Sequence, residues 1–356
     1  MNRKKKELLF YIMTIISCLV AMTIVVIAAL LIYDKILKKN DAAVDASAEG
    51  ATEIVTYSKD EVDLMLAEAI STAENTTREQ VSEDILSRIE TSLTEGTTVV
   101  ETLRPLYPND IVVVSNGKFH FVPIRDDLKK HSLVPENLNV LESGEYQYVV
   151  DGNVVSHKGI DVSRHQGDID WEKVAASGVE FAIIKVGARG YGAEGNIILD
   201  ERFSEYISGA SAAGLKIGVY FYTQAITEEE VLEEVNLLIE AVQGYELSYP
   251  VVCDVEKTAK STGRMNQLTV EERTHLVRLF VDKVKEAGYT PMIYSNMEMW
   301  SVLLDMASFE DVEKWFAYYG PSLYFPYDYA IWQYSDTGRV DGIEENVDLN
   351  ISFREW

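Results

Sequence analysis

The sequence predicts an α/β protein whose carboxyl-terminal part is a barrel. From Lys158 onward, short apolar segments typical of strands alternate with amphipathic segments typical of helices. This alternation is typical of a mostly parallel sheet, and the number of candidate strands favours a sheet that closes into a barrel. One strand ends in two acidic residues, and the reactive groups of such barrels lie where the strands end. Residues 158–356 are therefore predicted to form a barrel with a candidate site at its mouth.

The elements of this barrel follow the apolar periodicity. The candidate strands are residues 159–162, 181–186, 216–222, 251–256, 290–294, 314–318 and 329–334. The candidate helices are residues 171–177, 200–213, 227–242 and 269–287. Gly214, Gly244 and Gly288 follow the last three helices, and glycine is common after a helix because it adopts positive φ without strain.

The amino-terminal part predicts a membrane anchor over residues 1–39. Residues 8–33 carry no charge, and a helix of about 26 residues is about 39 Å long, enough to cross a hydrocarbon core of about 30 Å. Basic residues precede this run, which favours a cytoplasmic amino terminus and an extracellular remainder in a single-pass membrane protein. A cleaved signal peptide has a shorter apolar region, of about 7–15 residues. A lipoprotein signal ending at Cys18 is disfavoured because the apolar run continues to Ile32.

Residues 40–96 predict a flexible tether and a helical stalk. Residues 40–52 are rich in Ala, Asp, Ser and Gly and lack a hydrophobic period. Residues 61–93 carry apolar side chains at three-to-four spacing, which predicts an amphipathic helix. Its narrow apolar stripe is interrupted at Asn75-Thr76-Thr77. The pattern fits a stalk packed on the next domain and also a coiled coil that binds a second copy or a protein partner, and both hypotheses stay open.

Residues 97–157 predict a small β-rich module. Asn116-Gly117 separates two segments of period two, and this pair is typical of a tight hairpin turn. Asp151-Gly152-Asn153 separates a second pair of short strands. The module contains no catalytic constellation, so we interpret it as a spacer or docking element.

Composition excludes several classes of function. Among 356 residues, 58 are acidic and 32 basic, and the formal net charge of -26 argues against a nucleic-acid partner. The five histidines show no chelating spacing, and we predict neither a metal nor another cofactor. Cys18 lies far from Cys253, which excludes a framework of internal disulfides. Cys253 faces away from the acidic residues of its strand and is predicted to be a small buried side chain.

The strand that ends at Asp254 and Glu256 holds the candidate catalytic pair. Strand side chains alternate between two faces, so these carboxylates, separated only by Val255, point the same way with Cα atoms about 6–7 Å apart. Mutual repulsion and partial burial let one carboxyl keep its proton near neutral pH while the other stays ionised. Glycoside hydrolysis uses such a pair. In the alternative interpretation the two acids only mark the end of a strand and have no catalytic role. The pair alone does not decide between these two interpretations.

Six short blocks add to this pair. They are Gly159-Ile160-Asp161-Val162-Ser163 with His165-Gln166-Gly167 and Ile169-Asp170-Trp171, Asp254-Val255-Glu256, Tyr294-Ser295-Asn296, Trp315-Phe316-Ala317-Tyr318-Tyr319-Gly320, Trp332-Gln333-Tyr334-Ser335, and Val347-Asp348-Leu349-Asn350. With these blocks in order, residues 159–356 resemble the family 25 glycoside hydrolases, the Chalaropsis-type lysozymes or N-acetylmuramidases.

The resemblance implies an irregular barrel of five β/α units and three further strands. It implies cleavage of the β-1,4 bond between N-acetylmuramic acid and N-acetylglucosamine in peptidoglycan glycan strands. Glu256 would be the general acid, and Asp161, Asp254 and Asp348 would complete a ring of four carboxylates at the barrel mouth. Three like charges would raise the pKa of Glu256 and favour a cationic sugar transition state. Whether Asp254 attacks the sugar or orients the acetamido group of the substrate stays open.

Aromatic residues at the strand ends are candidate sugar-binding residues. The candidates are Tyr220, Tyr222, Tyr294, Tyr318, Trp332 and Tyr334, together with Gln333 as a contact for an acetamido group. Val255 departs from the family pattern, in which many relatives carry an aromatic residue there, and Ala188-Arg189-Gly190-Tyr191-Gly192 replaces an acidic turn. We predict a membrane-anchored muramidase. The alternatives are a wall-binding scaffold without turnover and a glycosidase of another amino sugar polymer.

Overall fold

The structure, a computed structural model, describes residues 58–259, 262–320 and 322–356. The chain divides into two compact units, Met1–Leu103 and Arg104–Trp356. The predicted transmembrane helix and the tether after it lie outside the described residues. Within the described part of the chain, no helix is both long and apolar enough to cross a membrane.

The described part of the first unit contains the helices α1 (Lys59–Thr94) and α2 (Val99–Leu103). α1 begins with a capping box: the Ser58 hydroxyl accepts from the Glu61 N–H, and the Glu61 carboxylate accepts from the Ser58 N–H at 2.6 Å. The helix continues through residues 75–77, where its apolar stripe is interrupted, and none of its residues is buried. The predicted helix is therefore one long element, and its role in self-association stays a prediction.

The second unit begins with two small antiparallel sheets. β1 (Asp110–Ser115) and β2 (Lys118–Pro123) form a hairpin, and β3 (Leu138–Val140), β4 (Tyr146–Val150) and β5 (Asn153–Val154) form a three-stranded sheet. The turn residues have positive φ, 51° and 71° at Asn116 and Gly117, and 50° and 82° at Asp151 and Gly152. Both predicted hairpins are therefore present.

The barrel follows these sheets. Its strands are β6 (His157–Val162), β7 (Phe181–Arg189), β8 (Ile197–Leu199), β9 (Lys216–Tyr222), β10 (Val251–Asp254), β11 (Pro291–Asn296), β12 (Glu313–Ala317), β13 (Ile331–Gly338) and β14 (Val347–Ser352). The hydrogen-bonded order is β6-β14-β13-β12-β11-β10-β9-β7-β8, and β6 also pairs with β7, which closes the barrel and leaves β8 outside. β14 is antiparallel to both neighbours, whereas the other barrel neighbours are parallel. The predicted barrel-like α/β fold is confirmed, although β8 and β14 are not among the predicted strands.

Helices alternate with the first barrel strands. They are α3 (Trp171–Ala176), α4 (Phe203–Ala212), α5 (Glu228–Val242) and α6 (Val270–Glu286). Gly214, Gly244 and Gly288 follow the last three with φ of 80°, 87° and 90°, as predicted for helix ends. α4 begins later than predicted because the Asp200 carboxylate accepts from the backbone N–H groups of Arg164 and Arg202, which keeps residues 200–202 out of the helix.

Strand alternation divides the apolar side chains between two cores. The outward set includes Phe221, Cys253 and Phe316, and the inward set includes Val252, Met292 and Trp315. Cys253 is fully buried, as predicted. Inside the barrel, Gly159 makes room for the Phe181 ring, since a β-carbon on Gly159 would lie 2.1 Å from it. The barrel interior is therefore a packed core, and polar groups collect at the strand ends.

The small β-rich segment packs directly on the barrel. The Tyr146 ring stacks on Tyr334 with centroids 4.5 Å apart, and the Val112 N–H donates to the Tyr324 hydroxyl at 2.9 Å. Side chains of this segment, such as Ile111, belong to the outer core of the barrel. The boundary that we predict between residues 157 and 158 thus lies inside the second unit.

Candidate active site

A pocket of about 500 Å³ lies at the carboxyl ends of the parallel barrel strands. All four predicted carboxylates line it: Asp161, Asp254, Glu256 and Asp348. Asp161 and Asp254 lie at the ends of the parallel strands β6 and β10. β14 runs in the opposite direction, so Asp348 reaches the same edge from the start of its strand. The barrel topology therefore brings together acids that are far apart in the sequence.

Asp161 and Asp348 form the first carboxyl pair. They lie opposite each other on β6 and β14, and their carboxyl groups interact electrostatically. Asp161 Oδ2 also accepts from Gln333 Nε2 and Asn350 Nδ2, both at 2.8 Å. Burial raises the pKa of Asp161, and these amide donors oppose that effect. Burial and the charge of Asp161 raise the pKa of Asp348 to about 9. Near neutral pH Asp348 is therefore protonated.

The two amides that bind Asp161 are themselves oriented. Trp315 Nε1 donates to Asn350 Oδ1 at 2.7 Å, and the Tyr294 hydroxyl donates to Gln333 Oε1 at 2.7 Å. Because each amide oxygen accepts from another donor, each NH₂ group is directed to Asp161. We did not predict Trp315 and Asn350 as site residues. Both belong to the recognised sequence blocks, and alternation along β12 and β14 is the signal that places them inside.

Asp254 and Glu256 form the second carboxyl pair. β10 ends at Asp254, earlier than predicted, and Glu256 lies in the loop that follows. The backbone between them is fixed, because the Val255 N–H donates to the Tyr294 carbonyl at 3.1 Å and the Ser295 hydroxyl donates to the Val255 carbonyl at 2.6 Å. Both side chains line the pocket, where the two carboxyl groups interact electrostatically.

Burial raises the pKa of both members of this second pair. The charge of Glu256 raises the pKa of Asp254 further, well above its usual range. Asp254 Oδ1 is buried and has no hydrogen-bond partner among the described residues, in contrast to the twice-bonded Oδ2 of Asp161. Two interacting acids with raised pKa values titrate as one unit. Burial therefore favours the protonated form of both acids, and repulsion between their charges disfavours ionising the two together.

Lys185 brings positive charge to the pocket. It lies on β7 opposite Tyr220, and its Nζ is 5.6 Å and 5.7 Å from the ring centroids of Tyr220 and Tyr222. We did not predict this residue, although the alternation of β7 places it inward. Its charge lowers the pKa of Asp161, Asp254 and Glu256. Burial has the larger effect on each of these groups and raises the pKa.

The structure brings four of the predicted sugar-binding residues to the pocket. They are Tyr220, Tyr222, Tyr294 and Gln333. Trp332 and Tyr334 are not among the residues that line it. They flank Gln333 on β13 and pack in the outer core, where the Tyr146 ring contacts both, at 5.2 Å and 4.5 Å between centroids. The segment before the barrel, rather than a sugar, is the partner of these two rings.

Tyr318 also lies away from the pocket. Its hydroxyl accepts from Arg104 Nη1 at 2.6 Å, and the Arg104 guanidinium carbon lies 5.0 Å from its ring centroid. Trp332 Nε1 donates to the Tyr318 carbonyl at 2.7 Å. Tyr318 and Trp332 therefore join the β-rich segment to the barrel. The sequence alone could not show that Tyr318 and Trp332 are covered, because nothing in the sequence of the β-rich segment indicates where it packs on the barrel.

The chemistry of the pocket is that of paired acids. Within residues 58–259, 262–320 and 322–356, no group of three or more His, Cys, Asp or Glu is arranged to hold a metal ion. A proton held by one acid can be given to a leaving oxygen, and an ionised acid can stabilise positive charge. An α/β barrel with such carboxyl pairs at its mouth has the arrangement of a glycoside hydrolase.

The family can be named from the sequence. The sequence model described as glycosyl hydrolases family 25 matches residues 160–343, just over half of the chain. The chain belongs to this family, as its sequence blocks predict. The match includes Asp161, Asp254 and Glu256, whereas Asp348 lies a few residues beyond its end.

Known proteins resemble the same region. An autolytic lysozyme of Clostridium acetobutylicum is 30% identical over 194 residues, which cover 54% of this chain and 55% of that protein. The uncharacterized protein YegX of Escherichia coli K12 is 31% identical over 206 residues, 54% of this chain and 68% of YegX. The modular autolysin LytC of Streptococcus pneumoniae has the same fold, with a TM-score of 0.50, 22% identity and coverage of 67% and 57% of the two chains. The chain thus spans about half the length of the lysozyme that it matches.

Proposed function

We propose that this chain hydrolyses the β-1,4 linkage between N-acetylmuramic acid and N-acetylglucosamine in peptidoglycan. The observation that carries the proposal is the convergence of four carboxyl groups in one pocket of a family 25 barrel. The name of the clostridial relative, an autolytic lysozyme, supports the same substrate class.

Glu256 is the general acid in this proposal. Burial raises its pKa, which favours the protonated form that a general acid needs. Proton transfer to the glycosidic oxygen breaks the bond and leaves positive charge on the sugar. Asp161, whose ionised form is favoured by two amide donors, supports that charge in the same pocket.

We infer that Asp254 assists the substrate's acetamido group instead of attacking the sugar. Asp254 Oδ1 is buried and has no hydrogen-bond partner among the described residues, so it can accept from a substrate N–H. Substrate-assisted glycosidases do not follow the two-carboxylate spacing rule. In this role Asp254 accepts the acetamido N–H while the acetamido oxygen attacks the sugar carbon.

The proposed location is the outer face of the cytoplasmic membrane. The uncharged run of residues 8–33 and the basic residues before it support a single span with the pocket outside. In the sequence, the tether and α1 lie between the proposed anchor and the barrel. A protease-protection experiment on intact cells tests this orientation, since an extracellular barrel is digested while the amino terminus is protected.

The reaction is tested by mass spectrometry of purified peptidoglycan after incubation with the full chain. We expect products with a new reducing end on N-acetylmuramic acid. Glycan binding without any new product would instead favour the wall-binding scaffold. Release of products only from another amino sugar polymer, such as chitin, would favour the third candidate function.

Lys185→Met is expected to move the pH–rate profile of kcat/KM to higher pH by about one unit. Lys185 lowers the pKa of Asp161 and Glu256, so its removal raises both. The acid limb of the profile requires ionised Asp161, and the alkaline limb requires protonated Glu256. Both limbs therefore shift to higher pH. Lys185→Arg keeps the charge and should keep the profile. An unshifted profile in Lys185→Met would show that Lys185 does not act on these acids.

A further inference from the structure

Arg189 is a buried charge near the pocket that the proposed reaction does not use. The side chain is 4% exposed, and a buried cation is tolerated only when it is paired. Arg189 Nε donates to Glu234 Oε1 at 2.7 Å, and Nη2 donates to Glu233 Oε2 at 2.8 Å. Glu234 is fully buried. Because a buried ion pair adds little net stability compared with apolar side chains, its presence here points to a positioning role.

Arg189 also fixes the loop that follows β7. Its Nη1 donates to the Gly195 carbonyl at 2.6 Å, which closes the loop of residues 189–195. Its Nη2 donates to the Glu230 carbonyl at 2.8 Å, which joins the loop to α5. Tyr191 lies within this loop and lines the pocket. The position of Tyr191 therefore depends on Arg189.

A second buried arginine joins the same loop to the far side of the pocket. Arg264 donates to both carboxylate oxygens of Glu230, at 2.7 Å and 3.0 Å, and the Gly192 N–H donates to the Thr262 carbonyl at 2.9 Å. The Arg264 N–H donates to Gln224 Oε1 at 2.9 Å, and Gln224 Nε2 donates to the Tyr222 hydroxyl at 3.2 Å. The bonds form a continuous connection from Arg189 to Tyr222.

Tyr191 and Tyr222 meet at the end of this connection. Their hydroxyl oxygens are 3.4 Å apart, and their ring centroids are 6.2 Å apart at an interplanar angle of 72°. Tyr222 lies beside Asp254 on the neighbouring strand. Tyr191 is 37% exposed, so a ligand in the pocket can reach part of its side chain. An edge-to-face pair of this kind offers an apolar ring face and polar hydroxyl groups in one corner.

We propose that Tyr191 is a specificity-determining residue that binds the sugar next to the Asp254–Glu256 pair, and that Arg189 is the residue that positions it. The inference rests on the proposed function, because it assigns a substrate contact to the same pocket. Sugar rings have apolar faces that pack on aromatic rings and hydroxyl groups that bond to phenolic oxygens. Tyr191 therefore contributes to affinity and not to the chemical step.

The first test measures kcat and KM on soluble peptidoglycan fragments of defined length. We expect Tyr191→Ala to raise KM about tenfold while kcat stays within about twofold, and Tyr191→Phe to have a smaller effect. Tyr107→Ala is the matched control, since Tyr107 is 40% exposed and does not line the pocket. An unchanged KM in Tyr191→Ala overturns the assignment of Tyr191.

The second test is a double-mutant cycle with Arg189→Lys. Lysine keeps the charge beside Glu234 but lacks the several fixed donors of a guanidinium. We expect Arg189→Lys to raise KM about fivefold, and to have no further effect in the Tyr191→Ala background. Additive effects would show that Arg189 acts only on general stability and would overturn its positioning role. Thermal denaturation of each variant confirms that the fold is retained.

Calorimetric binding of the same fragments separates failure of this inference from failure of the proposed function. If the wild-type chain binds the fragments without hydrolysing them, the proposed reaction fails, and the Kd values of the same variants still decide the role of Tyr191. We expect the Kd to rise in Tyr191→Ala in parallel with KM. Equal Kd values for the wild type and Tyr191→Ala, or no fragment binding by the wild type, overturn the inference.

Discussion

Glu256→Gln is expected to lower kcat by about 10²- to 10⁴-fold, the usual contribution of a positioned general acid. The glutamine amide has the shape of the protonated carboxyl and still carries hydrogen-bond donors, but it cannot transfer a proton. Release of reducing sugar from peptidoglycan measures the loss.

The matched control for this variant is Glu180→Gln, which neutralises an acid that binds His157 and does not line the pocket. This control should keep the wild-type kcat. Wild-type turnover in Glu256→Gln would remove Glu256 from the reaction and with it the proposed mechanism.

Asp161→Asn is expected to lower kcat by about 10²- to 10³-fold, and Asp348→Asn by only about tenfold. The amides of Gln333 and Asn350 donate to Asp161 and favour its ionised form. Asp348 is protonated near neutral pH, with its pKa raised to about 9. Asparagine at position 348 is neutral as well. A larger loss of kcat in Asp348→Asn than in Asp161→Asn would contradict this assignment, because it would show that Asp348 is the ionised member of the pair.

Asp348→Asn also has a signature in stability. An acid whose folded-state pKa is raised holds more protons in the folded chain than in the unfolded chain between the two pKa values, so stability falls as pH rises through that window. For Asp348 the window runs from 3.8 to about 9. The variant lacks this group and should therefore melt above the wild-type Tm at pH 8, by about 2–6 °C, and the difference should shrink towards pH 4.

Much of this fold follows from local sequence signals. Gly214 and Gly288 mark helix ends because few other residues accept φ near 80–90°. Asn116-Gly117 specifies its hairpin for the same reason. β14 escapes prediction, because Asp348 and Asn350 interrupt its apolar pattern. Asp348 lines the pocket, and Asn350 donates to Asp161. Because these two polar side chains serve the site, the strand lacks the apolar alternation by which strands are recognised in a sequence.

The site shows a similar division. Acids at strand ends can be recognised as a set because the sequence blocks occur in order, and the barrel brings all four together. The pairing of these acids depends on strand register, which links Asp161 to Asp348. Whether an aromatic residue reaches the pocket depends on which face of its strand is covered by the segment before the barrel. Tyr222 faces the pocket, whereas Tyr318 and Trp332 contact a segment whose docking site has no sequence signal.

The antiparallel seam between β6 and β14 has a consequence for how activity is acquired and lost. Asn350 and Asp161 are 189 residues apart in the sequence and meet only when this seam forms. Contacts between such distant segments are costly in chain entropy and form slowly. Local opening of the seam would remove Asp348 and Asn350 from the pocket in one event, leaving the other strands paired. Catalytic competence therefore reports on the closure of the barrel.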